Sequence, residues 1–311
     1  MVFRIQGFGR KRDFNDPRDY TPDSTDIQLE FKKAELAKKS MRRVKDTASV
    51  NADKLPLTVD QSKFCTPIEN QGNIGSCTAN AGAGLYEYME MRATGKFLDA
   101  SRLFLYKATR LLMGQEGIGD SGAYIRTTLK AIRMFGLPPE ELYPYTDDPK
   151  KFDAYPQAHV WTAGQNYKSV KQMRLDFSKD AELNINRIKE YVAKGFASEI
   201  GFTVFSSYSQ AEKNGGVFPY PYGNENIEGG HAVLIVGYDD NKVSTNIKDP
   251  TNKELKGAFK IRNSWGTTWG DQGYGWIPYD YFRLKSNGDV LADDVWTITK
   301  FDWLETGAFA F

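Results

Sequence analysis

The chain has 311 residues, 40% hydrophobic and 14% aromatic, enough to bury one large core or two smaller ones. Its 41 basic and 40 acidic residues leave a formal net charge of +1, so bulk charge points to neither a nucleic-acid nor a membrane partner. No apolar run approaches the roughly 18 residues needed to cross a bilayer.

Residues 1–54 are polar and basic and open without the apolar core of a signal peptide. Between Phe31 and Lys45 seven Lys/Arg face one Glu, and Leu36, Ala37, Met41 and Val44 recur at helical spacing, which predicts a short amphipathic helix. Composition shifts at Leu55-Pro56, the expected start of the main body. Helices are predicted over 76–91, 101–113, 122–135 and 183–194, the third ending at Gly136-Leu137-Pro138-Pro139. Strands are predicted over 198–204, 232–238, 258–263 and 274–277, with 239–256 as a long exposed hairpin loop. Helices first and strands later imply an α+β protein in two lobes. The expected boundaries are a helical lobe over about 55–160, a β lobe over about 161–290 and a C-terminal tail over 291–311.

Chemistry concentrates in three places. Cys77 closes the run Gln71-Gly72-Asn73-Ile74-Gly75-Ser76-Cys77 at the start of a predicted helix, whose N-terminal partial charge favours a thiolate. His231 follows Gly229-Gly230 and leads into a strand, and Asn263 opens Asn263-Ser264-Trp265-Gly266. A thiolate attacks a carbonyl, an imidazole protonates the leaving amine, and an amide oxygen holds the imidazole in one tautomer. The Cys77 backbone N–H and the Gln71 side-chain amide are candidate donors to the oxyanion. Taken singly, a buried cysteine, a core histidine and a turn asparagine are commonplace. Their conjunction in this order carries the reading.

The segments around these residues resemble the papain family of cysteine peptidases. Leu55-Pro56-Leu57-Thr58-Val59-Asp60 is similar to the family's mature start, and Cys65-Thr66-Pro67-Ile68-Glu69-Asn70-Gln71 to its approach to the oxyanion glutamine. Gly229-Gly230-His231-Ala232-Val233 resembles the segment around the family's histidine. The run from Ile261 to Tyr274 resembles its Lys-Asn-Ser-Trp-Gly block almost residue for residue.

The resemblance implies a two-lobed papain-like fold with the cleft between the lobes, and catalytic roles for Cys77, His231, Asn263 and Gln71. It also implies that Trp265 shields the His231–Asn263 contact. Gly122 and Ala123 are expected to pair antiparallel with an extended substrate. Tyr124, Ile125 and Ala232 are expected to form an apolar pocket for the side chain two positions before the cut. Alternatively, Tyr124 and Ile125 are the buried start of a helix.

Departures from the pattern are specific. The family's Cys-Gly-Ser-Cys-Trp reads Ile74-Gly75-Ser76-Cys77-Thr78, and the segment that carries the lost cysteine's partner matches Gly119-Asp120-Ser121-Gly122-Ala123. Both ends of that bridge are absent together. With only two cysteines and no Asn-x-Ser/Thr site, a reducing intracellular compartment is expected. Gly230 stands where the family usually has Asp.

Cys65 is expected to be a buried structural thiol, and His159 a surface or interlobe residue. Two histidines leave none for the paired-histidine loop of carboxydipeptidase relatives, so an endopeptidase acting on protein or peptide substrates is expected. No metal or cofactor is expected, and a monomer is taken as the simplest state. A papain-fold acyl transferase and a catalytically silent binding protein are the alternatives. Residues 1–54 are expected to form a short inhibitory or cleft-covering prosegment, or else a structural strap.

Overall fold

The computed structural model describes residues 7–40, 55–167 and 170–310. In chain order its elements are β1 (Arg10–Lys11), α1 (Thr25–Ser40), β2 (Thr58–Asp60), α2 (Cys77–Thr94), α3 (Arg102–Leu112), β3 (Ala123–Tyr124), α4 (Ile125–Phe135) and α5 (Ala158–Gly164). They continue with β4 (Lys171–Arg174), α6 (Ala181–Ala193), β5 (Ser198–Phe205), β6 (Ile227–Ser244), β7 (Leu255–Arg262) and β8 (Tyr274–Pro278). A short hairpin of β9 (Lys285–Ser286) and β10 (Asp289–Val290) precedes β11 (Ala292–Thr299) and α7 (Phe301–Glu305).

One antiparallel sheet runs β4-β11-β5-β6-β7-β8, with β2 added on the far end of β6. Its centre is β6, where Ala232 to Val236 are buried without a break. That apolar run is what a strand needs when two helices, α2 and α6, pack against it. Helix α2 is itself buried continuously from Cys77 to Met89. Ala79, Ala83 and Gly84 keep it slim, and a Cβ at position 84 would lie 2.4 Å from the Arg262 guanidinium. The helix ends at Gly95, in the left-handed conformation (φ +71°), whose N–H bonds the Met91 carbonyl.

Two boundaries differ from expectation. The loop predicted over 239–256 shrinks to 245–254, because β6 continues to Ser244 and β7 begins at Leu255. The expected C-terminal tail is not a tail, since β11 lies between β4 and β5 and α7 folds back on α2. Trp303 of α7 is 1% exposed, stacks edge-on against Tyr86 at 5.2 Å and donates its indole N–H to Glu90. Period-two alternation is lost in β11 because every residue of it is buried, so a two-faced strand pattern had nothing to register. Trp303→Ala is expected to cost about 3–5 kcal/mol of stability. The check is the urea unfolding midpoint.

The extension joins this body. Helix α1 starts earlier than predicted and buries Ile27, Phe31 and Ala34, with Phe31 6.2 Å from the Phe196 ring. Leu36, expected on the apolar face, is 59% exposed, while Met41 and Val44 lie outside the described residues. Upstream of α1, Arg126 gathers the carboxylates of Asp13 and Asp19 and the Phe14 carbonyl. Among the described residues no helix is long and apolar enough to cross a membrane.

Candidate active site

Cys77 is the first residue of α2 and is fully buried. The loop before it is fixed by Asp120, which accepts hydrogen bonds from the Gly75 N–H at 2.8 Å and from the Tyr106 hydroxyl. In place of a disulfide between positions 74 and 120, a carboxylate ties the two segments together. Gln71 is held from both sides. Its Oε1 accepts from Ser264 Oγ at 2.7 Å, and its backbone N–H donates to the Ser264 carbonyl. With the amide oxygen engaged, Nε2 is left to donate to the carbonyls of Gly7 (2.8 Å) and Ile74 (3.0 Å).

His231 lies on β6 and Asn263 follows β7, so the sheet's 32-residue hairpin excursion brings them together. His231 Nε2 and Asn263 Oδ1 are 2.9 Å apart, and Oδ1 also accepts the Ser264 N–H at 2.8 Å. An amide oxygen only accepts, so the proton sits on Nε2 and Nδ1 carries a free lone pair. Nδ1 is buried with no hydrogen-bond partner among the described residues. Trp265 stacks over the imidazole, with centroids 4.6 Å apart and planes 22° apart, and His231 and Asn263 are both buried. The link to Cys77 runs through the adjacent residue, since the Ala232 N–H is directed at the Cys77 sulfur.

Gln71, Cys77, His231 and Asn263 are thus assembled in one place. So are Gly122 and Ala123, but what pairs with them is the chain's own N-terminal segment. Strand β1 pairs with β3, Arg10 opposite Ala123, in a parallel sense, and the Ala123 N–H bonds the Gly9 carbonyl at 2.8 Å. The Gly9 N–H is directed at the Cys77 sulfur, and Phe8 packs edge-on against His231 and Trp265, each at 6.0 Å. Close approach requires glycines on both sides. A Cβ at Gly9 would lie 1.9 Å from the Gly75 carbonyl oxygen, and one at Gly230 would lie 2.4 Å from that of Arg10. Glycine at 230, where an Asp was the familiar residue, is therefore where this segment crosses β6.

Burial under this strap sets the protonation of the pair. It pushes the Cys77 thiol up to about 11, against the hydrogen bonds from Gly9, Ala232 and Thr78. It also holds His231 down near 4, against the Asn263 hydrogen bond. Beneath the strap the pair is neutral thiol and neutral imidazole.

Other expectations resolve differently. Ile125 is completely buried at the start of α4, matching the alternative reading of it as a helix residue, while Tyr124 is half-buried under the Lys11 ammonium. The pocket beside them is not wholly apolar, because it holds the Arg10 side chain and ends on Asp293 and Asp294. His159 is exposed on α5, away from the site. Cys65 is partly rather than fully buried and hydrogen-bonds Tyr274. Sequence reading passed over Ser264, which orients both Gln71 and Asn263, although it stands inside the Asn-Ser-Trp-Gly run. Phe8, Arg10 and Asp293 carried no local signal.

A family model described as papain family cysteine protease matches residues 55–287. An uncharacterized peptidase C1-like protein of Acanthamoeba polyphaga mimivirus is 35% identical over 288 residues, covering 89% of this chain and 84% of the viral one. Cathepsin K of Mus musculus is 28% identical, over 75% of this chain and 62% of the cathepsin. Among solved structures, xylellain, a cysteine protease from Xylella fastidiosa, superposes with a TM-score of 0.71 at 31% identity, covering 95% of this chain and 97% of xylellain. The chain belongs to the papain family of cysteine proteases.

Proposed function

We propose that this protein is an endopeptidase that cuts through a thioester on Cys77, and that residues 7–11 hold it inactive until they are displaced. When the cleft is open, the Cys77 proton passes to Nδ1 of His231. The sulfur then attacks the scissile carbonyl carbon, forming a C–S bond and moving the carbonyl π pair onto oxygen. The oxyanion is met by the Cys77 N–H and Gln71 Nε2. Collapse of this intermediate breaks the C–N bond, and His231 protonates the departing amine. A water molecule, losing its proton to His231, attacks the thioester and releases the acid and the thiol.

The observation that carries this reading is the Gly7 carbonyl on Gln71 Nε2, with Gly9 against the sulfur. The strap occupies the Gln71 side-chain donor that a substrate carbonyl needs. Its parallel direction on β3 is the reverse of the antiparallel course expected of substrate, and it offers an N–H rather than a carbonyl carbon to the thiol. With Ile125 buried as a helix residue, Tyr124 and Ala232 are the remaining walls of the apolar pocket expected for the side chain two positions before the cut.

In a strap-loosened chain, Gln71→Ala is expected to lower kcat on an internally quenched peptide by about 10²–10³-fold, with KM little changed. Steady-state kinetics checks it, and mass analysis of the fragments locates internal cuts. An unchanged kcat, or removal of terminal residues alone, contradicts the reading.

A further inference from the structure

The Arg10 side chain is 4% exposed although it belongs to the segment laid over the cleft. Its guanidinium reaches Asp293 Oδ1 directly and Asp294 Oδ2 at 3.4 Å. Space for it comes from one row of the sheet. Asp293 of β11, Gly201 of β5 and Ala232 of β6 are successive cross-strand partners, so they share a face. At the middle of that row a Cβ on Gly201 would lie 2.2 Å from Arg10 Nε. The missing side chain is the slot the guanidinium fills. Gly230 lets the Arg10 backbone pass, since its Cβ would lie 2.4 Å from the Arg10 carbonyl oxygen, and the stem runs on at 3.4 Å from the same point.

The slot is a receptor for a cation independent of the strap. Asp294 retains Arg174 at 3.6 Å and the Trp296 indole N–H when the strap leaves. Asp293 does not, because its two cationic partners are Arg10 of the strap and Arg12, which follows the strap directly and is displaced with it. Close by, Glu199 is fully buried with neither carboxylate oxygen hydrogen-bonded among the described residues, and it senses both Asp294 and Arg10. Lifting the strap leaves a narrow pocket with an uncompensated carboxylate at its end, a costly arrangement that another guanidinium or ammonium relieves. Gly9, one residue before Arg10, directs its N–H at the thiol, so the pocket lies beside the reacting centre.

We infer that Asp293 makes this protease select arginine or lysine two positions before the scissile bond, with the strap's Arg10 standing in for that side chain in the closed state. This inference rests on the protease reading above. The cation's stem lies along the apolar walls and its head meets the carboxylates, so a chain ending in a methyl group fills the stem region but leaves Asp293 unpaired.

The test uses full-length chain carrying Phe8→Ala and three fluorogenic peptides identical except for Arg, Leu or Glu at that position. The expected kcat/KM for Arg exceeds that for Leu by at least about tenfold, with Glu lowest. Adding Asp293→Asn should cut the Arg/Leu ratio at least about tenfold. Because it also weakens the strap's anchor, it should raise the Leu rate, an opposed pair of changes that general damage to the fold does not produce. Asp293→Glu should restore the preference for Arg. Leu cut better than Arg in the Phe8→Ala chain, or an Arg/Leu ratio unmoved by Asp293→Asn, overturns the assignment and leaves the protease reading intact. The first of these ratios needs no pocket variant to fold. If no peptide is cut and a peptidyl epoxide leaves Cys77 unmodified, the protease reading fails and the pocket assignment with it.

Discussion

In a chain whose strap has been loosened, Cys77→Ala is expected to reduce kcat on a peptide substrate by roughly 10⁴–10⁶-fold. Alanine leaves Gln71 Nε2, the backbone N–H at position 77 and the strand edge at Ala123 in place, so binding survives and the bond-forming atom alone is lost. His231→Ala should cost a similar factor, because it removes the base that takes the thiol proton and the acid that protonates the leaving amine. The Cys77→Ala, His231→Ala double variant should be little worse than either single one, since the two groups act as a unit. Single-turnover kinetics with active-site titration checks all three. Losses below tenfold would place the chemistry elsewhere.

Loosening the strap is expected to have the opposite effect. Phe8→Ala with Arg10→Ala removes the ring packed on His231 and Trp265 and the guanidinium paired with Asp293 and Asp294. Turnover of a small peptide should rise at least about tenfold over the parent chain, because truncating one partner of a buried charge pair alone costs several kcal/mol. The pH dependence follows from His231. Its pKa is about 4 when covered and ordinarily 6.5, so the uncovered form binds the proton more tightly. As pH falls from 6.5 toward 4, protonation therefore favours the uncovered state, and strap release should be easier in that window. The thiol has the opposite sign. Raised to about 11 under the strap against an ordinary 9.0, it opposes the covered state only as pH climbs through that alkaline range. Peptide turnover after brief incubation at each pH checks both directions.

How much was legible in the sequence depends on whether the signal was local. Gln71, Cys77, His231 and Asn263 each sit in a short run whose neighbours serve the same site. Ser76-Cys77 starts the helix, Ala232 follows the imidazole, and Ser264 holds both amides. Such runs are readable one at a time. The strap is not, because its specificity lies in contacts across almost the whole chain, with Arg10 and Asp293 separated by 283 residues. Glycines 7 and 9 look like loop punctuation until Ile74 and Gly75, respectively, are placed against them. Strand β11 was missed for a related reason, as burial on both faces erased its alternation. The loss of two cysteines is visible in the sequence, whereas the carboxylate tie from Asp120 to Gly75 that replaces them joins residues 45 apart and exists only in the fold.

The most direct measurement compares alkylation of Cys77 by a peptidyl epoxide in the parent chain and in Phe8→Ala, Arg10→Ala, read by peptide mass mapping with Cys65 as the internal reference. Cys77 should be modified at least about tenfold faster in the variant, while Cys65, tied to Tyr274 rather than to the strap, keeps its rate. Equal rates at Cys77 in the two chains, or modification of Cys65 alone, would contradict a catalytic thiol closed off by its own N-terminus.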